Sequence, residues 1–259
     1  MYYQSLAIVL VALSTITPSI AADCTRDGLL AAAALYVSAQ TAGTPSTLPQ
    51  ASNFTINENN KAVNVAASVL SKPLKIDITR STADTVQCAS YTMIISSSGK
   101  TPYVLATQLR HNGNDTSTIA LVDTIAATTG SLFFNASLTL SYIKAEDWSP
   151  LTGTLPSRDV LKKAGDAYLD MWTDAKAADT IPWGTDCERV EGSRLTKPCG
   201  ASLPHGGSAK SNDDRRYVID ETIGSVDVLC AFNSLGNYPD SHEIRLVDGK
   251  VKYVHTITV

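Results

Sequence analysis

Three ionisable residues interrupt apolar runs in the last part of the chain: Asp227 in Val226-Asp227-Val228-Leu229-Cys230, His242 in His242-Glu243-Ile244-Arg245-Leu246, and His255 in Val254-His255-Thr256-Ile257. Histidine exchanges a proton near neutral pH, and a carboxylate drawn out of water becomes a usable base in the same range. All three are therefore candidates for general acid–base catalysis. Arg245, Tyr253 and Trp183 are the candidates for holding a substrate, and Trp172 could join Trp183 in stacking on a flat ligand. Each also has a structural reading: a hydrogen-bonded buried histidine, an aspartate on a solvated sheet face, a tryptophan of the core. Strand alternation places His242, Ile244 and Leu246 on one face and Glu243 and Arg245 on the other. It gathers Val251, Tyr253, His255, Ile257 and Val259 together, and turns Asp227 away from Val226, Val228 and Cys230. Arg216 and Asp220 share a face and could pair. Earlier in the chain, Asp84, Tyr91, Gln108 and Arg110 could line a second cavity.

Other machinery is missing from the sequence. It contains no Gly-x-Ser-x-Gly elbow, no Gly-x-Gly-x-x-Gly and no phosphate loop, which argues against a hydrolase of that type or a nucleotide enzyme. Neither Cys-x-x-Cys nor His-x-x-x-His occurs, so a zinc site has little support and no cofactor is expected. Cys230, inside an apolar run, reads as an inert thiol rather than a nucleophile. The 259 residues are 44% hydrophobic and 18% charged, with a net charge of −4. That is an ordinary globular composition, and it excludes the basic surface of a nucleic-acid binder.

These residues must be carried by two similar halves. The stretch around Ala167-Tyr168-Leu169-Asp170 through Glu191-Gly192 echoes residues 35–60: Leu48-Pro49 meets Ile181-Pro182, Asn53 meets Asp186, Glu58 meets Glu191, and Tyr36 meets Tyr168 one residue out of step. Internal similarity on this scale predicts a duplicated fold. In the first half, periodicity predicts a helix over residues 28–39, a short strand-like or irregular edge over 53–60 and a helical turn over 64–71. Strands are expected over 75–80, 86–96, 103–109, 119–127 and 131–142. In the second, a helix capped by Ser157 or Asp159 is followed by strands over 216–222, 225–232, 242–247 and 251–259. Further echoes run in the same order: Arg80 and Asp84 with Arg216 and Asp220, Cys88-Ala89 with Cys230-Ala231, residues 104–110 with 244–247, and Val122-Asp123-Thr124-Ile125 with Val254-His255-Thr256-Ile257. The expected division is a leader over 1–22, a first half over 23–143, a linker over 144–156 and a second half over 157–259.

Residues 1–22 carry no charged side chain, run apolar from Leu6 to Leu13 and end in small residues. That pattern predicts a secretory signal peptide, and the apolar run falls short of the roughly 20 residues a membrane span needs. A secreted protein, extracellular or in the secretory lumen, is expected. Sequons at Asn53, Asn114 and Asn135 fit such a route as glycosylation sites. An oxidising compartment favours disulfides among the five cysteines. Closing the short loop from Cys187 to Cys199 is entropically easy, so that pair is expected first and Cys24 with Cys88 second, leaving Cys230 free.

The motifs Ala167-Tyr168-Leu169-Asp170, Ile181-Pro182-Trp183, Cys187-Glu188-Arg189-Val190-Glu191-Gly192, Arg216-Tyr217-Val218-Ile219-Asp220-Glu221 and His242 through Val251 resemble the cone-shaped family of nuclear transport factor two, ketosteroid isomerases and SnoaL-like polyketide cyclases. More narrowly, nearly the whole mature chain resembles a family of secreted fungal proteins containing a domain of uncharacterised function. The resemblance implies an α+β fold of two tandem cone-like halves, each with helices on a curved, mainly antiparallel sheet enclosing a pocket. Members often dimerise through the open sheet face, so the two halves could form a pseudo-dimer, with a further homo-oligomer left open. The ketosteroid isomerase trio does not map onto this chain, so the resemblance reaches the fold and not the reaction. Taken with the polar residues above, it implies a cofactor-independent isomerase, cyclase or dehydratase acting on a small apolar secondary metabolite, a polyketide or terpenoid. The alternative is a non-catalytic secreted binder of a hydrophobic ligand or of a host or cell-surface factor.

Overall fold

The computed structural model describes residues 24–259; the expected leader lies outside them. Helix α1 (Arg26–Ala42) starts at Thr25, whose hydroxyl accepts the Gly28 N–H, and ends at Gly43, whose φ of 66° suits a residue without Cβ. Strands β1 (Gln50–Glu58), β2 (Lys61–Val63), β3 (Ile78–Asp84), β4 (Ala89–Ser96), β5 (Tyr103–His111) and β6 (Ile119–Thr128) follow. Two 3-10 turns, Val65–Ala67 and Val69–Ser71, lie between β2 and β3 ahead of Pro73. Helix α2 (Ala136–Ile143) closes the first half. In the second half, α3 (Arg158–Asp170) precedes β7 (Trp183–Glu191), β8 (Arg194–Thr196), β9 (Asp213–Asp220), β10 (Ser225–Phe232), β11 (Tyr238–Val247) and β12 (Lys250–Thr258).

The strands form two six-stranded sheets of identical order, β2-β1-β6-β5-β4-β3 and β8-β7-β12-β11-β10-β9. In each, one pair is parallel, β1 with β6 and β7 with β12, and every other pair is antiparallel. The chain is thus an α+β protein of two like halves. Leu48-Pro49 and Ile181-Pro182 stand immediately before β1 and β7, and Arg80, Asp84 and Val122-Asp123-Thr124-Ile125 occupy the ladder positions of Arg216, Asp220 and Val254-His255-Thr256-Ile257. The Cys88-Ala89 echo is not structural. Cys88 precedes the first residue of β4, whereas Cys230 lies near the end of β10.

One expected strand is a helix. Residues 131–142 do not alternate: Ala136, Thr139 and Ile143 are buried at helical spacing, and Asn135 Oδ1 caps the Leu138 N–H. The start of β4 also falls later than expected, because Cys88 takes a positive φ of 47° in the turn.

Alternation gives each sheet two apolar faces and the molecule three apolar layers. Tyr36, Leu70, Ile94, Leu105 and Val122 pack α1 and the 3-10 turns on the first sheet. Leu161, Tyr168, Leu169, Val226, Val228 and Ile244 pack α3 on the second. Gly165 lets α3 approach closely, since a Cβ there would lie 3.1 Å from Val228 Cγ2. Between the sheets, Met93, Ile95, Ile125, Val218, Leu229 and Ile257 meet with α2 residues Ala136 and Ile143. The halves therefore share a core across their inner sheet faces.

That middle layer also holds charge, arranged reciprocally. Asp84 accepts the Ile219 N–H at 2.9 Å and both guanidinium nitrogens of Arg158, the first residue of α3. Asp220 accepts the Ala83 N–H at 2.9 Å and pairs with Arg26, the first residue of α1. The expected Arg216–Asp220 pair therefore does not form; Arg216 reaches Asp123 and Asp214 instead, each at 2.6 Å.

Cys24–Cys88 ties the start of α1 to the β3–β4 turn, and Cys187–Cys199 ties β7 to the loop beyond β8. Cys230 is free and buried. Asn53, Asn114 and Asn135 are exposed. Among the described residues, no helix is long and apolar enough to cross a membrane.

Candidate functional site

The register of β11 and β12 separates the two histidines. His242 lies opposite Thr256 and faces α3, while Glu243 lies opposite His255 and faces the first sheet. His242, His255 and Asp227 therefore do not converge on one pocket.

His255 is clamped in the layer between the sheets. Its Nε2 lies 2.9 Å from the Glu146 carboxylate and its Nδ1 3.3 Å from Glu243, which also pairs with Arg80. Burial works against its charge, but the two carboxylates outweigh burial and raise its pKa to about 9. It is a structural imidazolium at neutral pH, not a free base. Asp227, expected on a pocket wall or an exposed face, is buried beneath the first sheet. There it accepts hydrogen bonds from Gln108 Nε2 at 2.6 Å and Ser241 Oγ at 2.8 Å, and burial raises its pKa to about 8.

The expected substrate-binding residues also hold structure. Arg245 donates to the carbonyls of Asp147 and Ser149. The Tyr253 ring stacks on Trp148 at 5.7 Å, and its hydroxyl accepts the Asp147 N–H. Both fasten the linker rather than a ligand. Val251 does not share the face of Tyr253 and His255, because a bulge between Arg245 and Leu246 turns it towards α3. Trp183 donates its indole N–H to Ala178 O at 3.0 Å and packs over Gly200. Of the four first-half residues, Asp84, Tyr91 and Gln108 are consumed in the layer between the sheets, and only Arg110 reaches an open cleft.

His242 remains, and a pocket surrounds it. A cavity of about 70 Å³ lies between the C-terminal end of α3 and the ends of β10, β11 and β12, lined by Tyr168, Trp172, Phe232, His242, Thr256 and Thr258. Leu132 and Phe133 of the first half complete it, because their loop docks on the β7–β8 turn through the Ser193 N–H to Phe133 O bond. Phe133 and Leu235, on the wall of the same cavity, are both exposed. The His242 ring lies 5.2 Å from the Tyr168 ring and 5.5 Å from Phe232.

Asp240 stands 2.8 Å from His242 Nε2 and is wholly buried. Its Oδ1 is held by the Thr258 hydroxyl and the Ser241 N–H. Burial raises the carboxyl above the usual range, with His242 pulling the other way. Buried polar atoms are normally partnered. Here Tyr168 OH, Trp172 Nε1 and both ring nitrogens of His242 have no hydrogen-bond partner among the described residues, nor has Asp240 Oδ2: the 2.8 Å approach of His242 to Asp240 is a charge contact rather than an aligned hydrogen bond. Such a convergence of unpaired donors and acceptors can orient a polar group of a ligand.

Asp240 and Tyr168 were not among the candidates from sequence, although Asp240-x-His242 at strand spacing put both on one face. The same alternation brings in Cys230, the cross-strand partner of Asp240. Cys230, Asp240 and His242 offer ligand atoms all within 4.8 Å of one another. This sulfur, oxygen and nitrogen set could hold a zinc-like ion. Without one, burial pushes the Cys230 thiol far up, so it is protonated and unreactive.

Among the described residues, the first half has no such site. Its ladders put Thr107, Leu105 and Ile94 where the second half has His242, Asp240 and Cys230. Tyr36, the partner of Tyr168, bonds Thr107 at 2.7 Å, and Thr107 bonds Thr124 at 3.0 Å. That chain is closed, and burial takes Tyr36 up to about 12.

Two comparisons bear on these halves. No curated protein matches the chain. Residues 155–258, the half that carries His242, match a family described as a domain of unknown function, DUF8021.

Proposed function

We propose that the second half is a small-molecule site in which the Asp240–His242 pair moves a proton on an apolar secondary metabolite, as a cofactor-independent isomerase, cyclase or dehydratase. In this reading each half is a cone-like unit of the SnoaL-like type, and the protein is a secreted glycoprotein of the fungal kind it resembles. The observation that carries the proposal is the set of unpaired polar atoms on Tyr168, Trp172 and His242 in one pocket, whose wall also includes Glu191, beside a buried carboxylate that can stabilise an imidazolium. His242 takes a proton from the substrate and returns it to another atom. Asp240 supports the charged ring, and Tyr168 and Trp172 donate to an oxygen that gains negative charge. A cavity of about 70 Å³ takes little more than the reacting end of such a molecule, being well below the roughly 300–1,000 Å³ of sites that enclose a whole small ligand. The remainder would lie across Phe133 and Leu235.

The test is chromatography of a metabolite extract of the producing organism incubated with the mature protein. Conversion of one component to an isomer or dehydrated product is expected. His242→Gln should lower that conversion by about 10²-fold or more, whereas His255→Gln should lower stability first. Assays with and without chelator separate proton transfer by the pair, which survives chelation, from chemistry of a metal on Cys230, Asp240 and His242. Retention of a component at unchanged mass, with no product, would make the protein a carrier.

A further inference from the structure

The duplicated sheets place two arginine pairs in equivalent positions, and the chain covers one pair and leaves the other open. Counting along the ladders, Arg80 and Arg245 of one pair correspond to Arg216 and Arg110 of the other. Over the first pair lies the linker. Arg80 Cζ sits 3.2 Å from the Trp148 ring centroid and Arg245 Cζ 5.1 Å from it, while Arg245 donates to two linker carbonyls. One arginine carries a flat ring, and the other binds oxygen.

Over the second pair is a cleft of about 400 Å³, lined by Arg110, Arg158, Lys162, Arg215, Arg216 and Tyr217. Both halves contribute, β5 from one and α3 with β9 from the other. Among the described residues, no carboxylate lines this cleft. Four of its five cations pair with carboxylates that are not part of its lining: Arg158 with Asp84, Lys162 with Asp166, Arg215 with Asp166 and Asp170, Arg216 with Asp123 and Asp214. Arg110 is different. Its Nη2 donates to two neutral acceptors, Gln108 Oε1 and Tyr217 O, and among the described residues no carboxylate pairs with it. Arg216 uses Nε, Nη1 and Nη2 on Asp123, Asp214 and Asn60, which leaves the flat face of its guanidinium for stacking.

We propose that this cleft binds a small molecule bearing both an aromatic ring and a carboxylate, the carboxylate on Arg110 and the ring on the face of Arg216, as the linker carbonyls and Trp148 lie on Arg245 and Arg80. The anion supplies the direct ion-pair partner that Arg110 lacks among the described residues, where Asp84, Asp123 and Asp227 act on it only through space, and a cleft of this size lies within the range of small-ligand sites. The site is separate from the His242 pocket.

The experiment is calorimetric titration of the full mature protein with indole-3-acetate, acetate, indole and inorganic phosphate. Indole-3-acetate is expected to bind about tenfold or more tightly than any of the other three, since only it offers both groups. Arg110→Gln should weaken it by about tenfold or more, and Lys162→Gln, which removes an exposed cation that pairs with Asp166 and lies 4.5 Å from the Tyr217 ring, by about threefold. His242→Gln should leave it unchanged. Absence of indole-3-acetate binding overturns the proposal. Phosphate or indole binding equally well overturns it too, as does equal affinity in the Lys162→Gln and Arg110→Gln proteins. If Arg110→Gln does not fold, the Lys162→Gln result decides.

Discussion

His242 and His255 sit on neighbouring strands with side chains on opposite faces of one sheet, and their surroundings give them opposite tasks. His255 is an imidazolium held by two carboxylates, with its pKa raised from 6.5 to about 9. The folded chain keeps that proton where the unfolded chain has lost it. Its contribution to stability is therefore complete below pH 6.5 and is lost as pH rises through about 9. Asp227 acts in the same direction. Burial raises it from 3.8 to about 8, so stability declines as pH rises across that interval. Urea unfolding should show a less stable protein at pH 9 than at pH 6. Asp227→Asn, which matches the shape of the protonated acid and can keep the Gln108 and Ser241 contacts, should flatten the fall below pH 8. An unchanged slope in that variant would remove Asp227 from the account.

At the scale of elements, the linker over residues 144–156 is a structural strap. Glu146 holds His255 and accepts the Trp148 indole N–H at 2.7 Å. Trp148 lies against Arg80, Arg245, Tyr253 and His255. Trp148→Ala should cost about 2–3 kcal/mol, from lost packing and cation–π contact. It should also speed proteolytic cleavage within the linker, read by gel and mass spectrometry. A stability loss without faster cleavage would mean that the strap is held by its backbone contacts to Arg245 alone. Helix α2 shows the same dependence on neighbours. Its Thr139 hydroxyl bonds the Gly192 carbonyl of the other half at 2.7 Å, which places the preceding Leu132 and Phe133 at the pocket.

At the scale of the whole molecule, the halves are joined by an apolar middle layer and by the reciprocal Asp84 and Asp220 contacts. Calorimetry should therefore show one unfolding transition for the intact protein. Two well-separated transitions would contradict a shared core. Asp84→Ala removes the partner of Arg158 and the acceptor of the Ile219 N–H, and should cost about 3–5 kcal/mol, as breaking buried ion pairs does. The halves differ in what equivalent positions carry. The position of Tyr36, Thr107 and Thr124 is sealed by hydrogen bonds in one copy and carries Tyr168, His242 and Thr256 in the other. Conversely, the arginines covered by the linker in one copy stand in an open cleft in the other.

Local sequence determined most of the elements. Periodicity marked α1 and α3, and alternation assigned His242, Glu243, Arg245 and Asp227 to their correct faces, because side-chain direction along a strand depends only on residue spacing. The shared order of Arg80, Asp84 and Val122-Asp123-Thr124-Ile125 with their second-half counterparts made the duplication legible. The shortest cysteine loop, between Cys187 and Cys199, was legible from chain entropy. Tertiary structure alone decided what each face meets. Nothing in the sequence around Asp227 or His255 states that the opposite sheet would cover them, because Gln108, Glu146 and Arg80 arrive from distant parts of the chain. The residue-by-residue pattern of 131–142 was missed where its helical spacing competed with the strand-forming Leu, Phe and Thr of the segment, and docking on Gly192 and Ser193 settled it. Burial and cross-half charge, which raise the pKa of His255 and Asp227, are properties of the packed molecule, since desolvation depends on every element that surrounds a group.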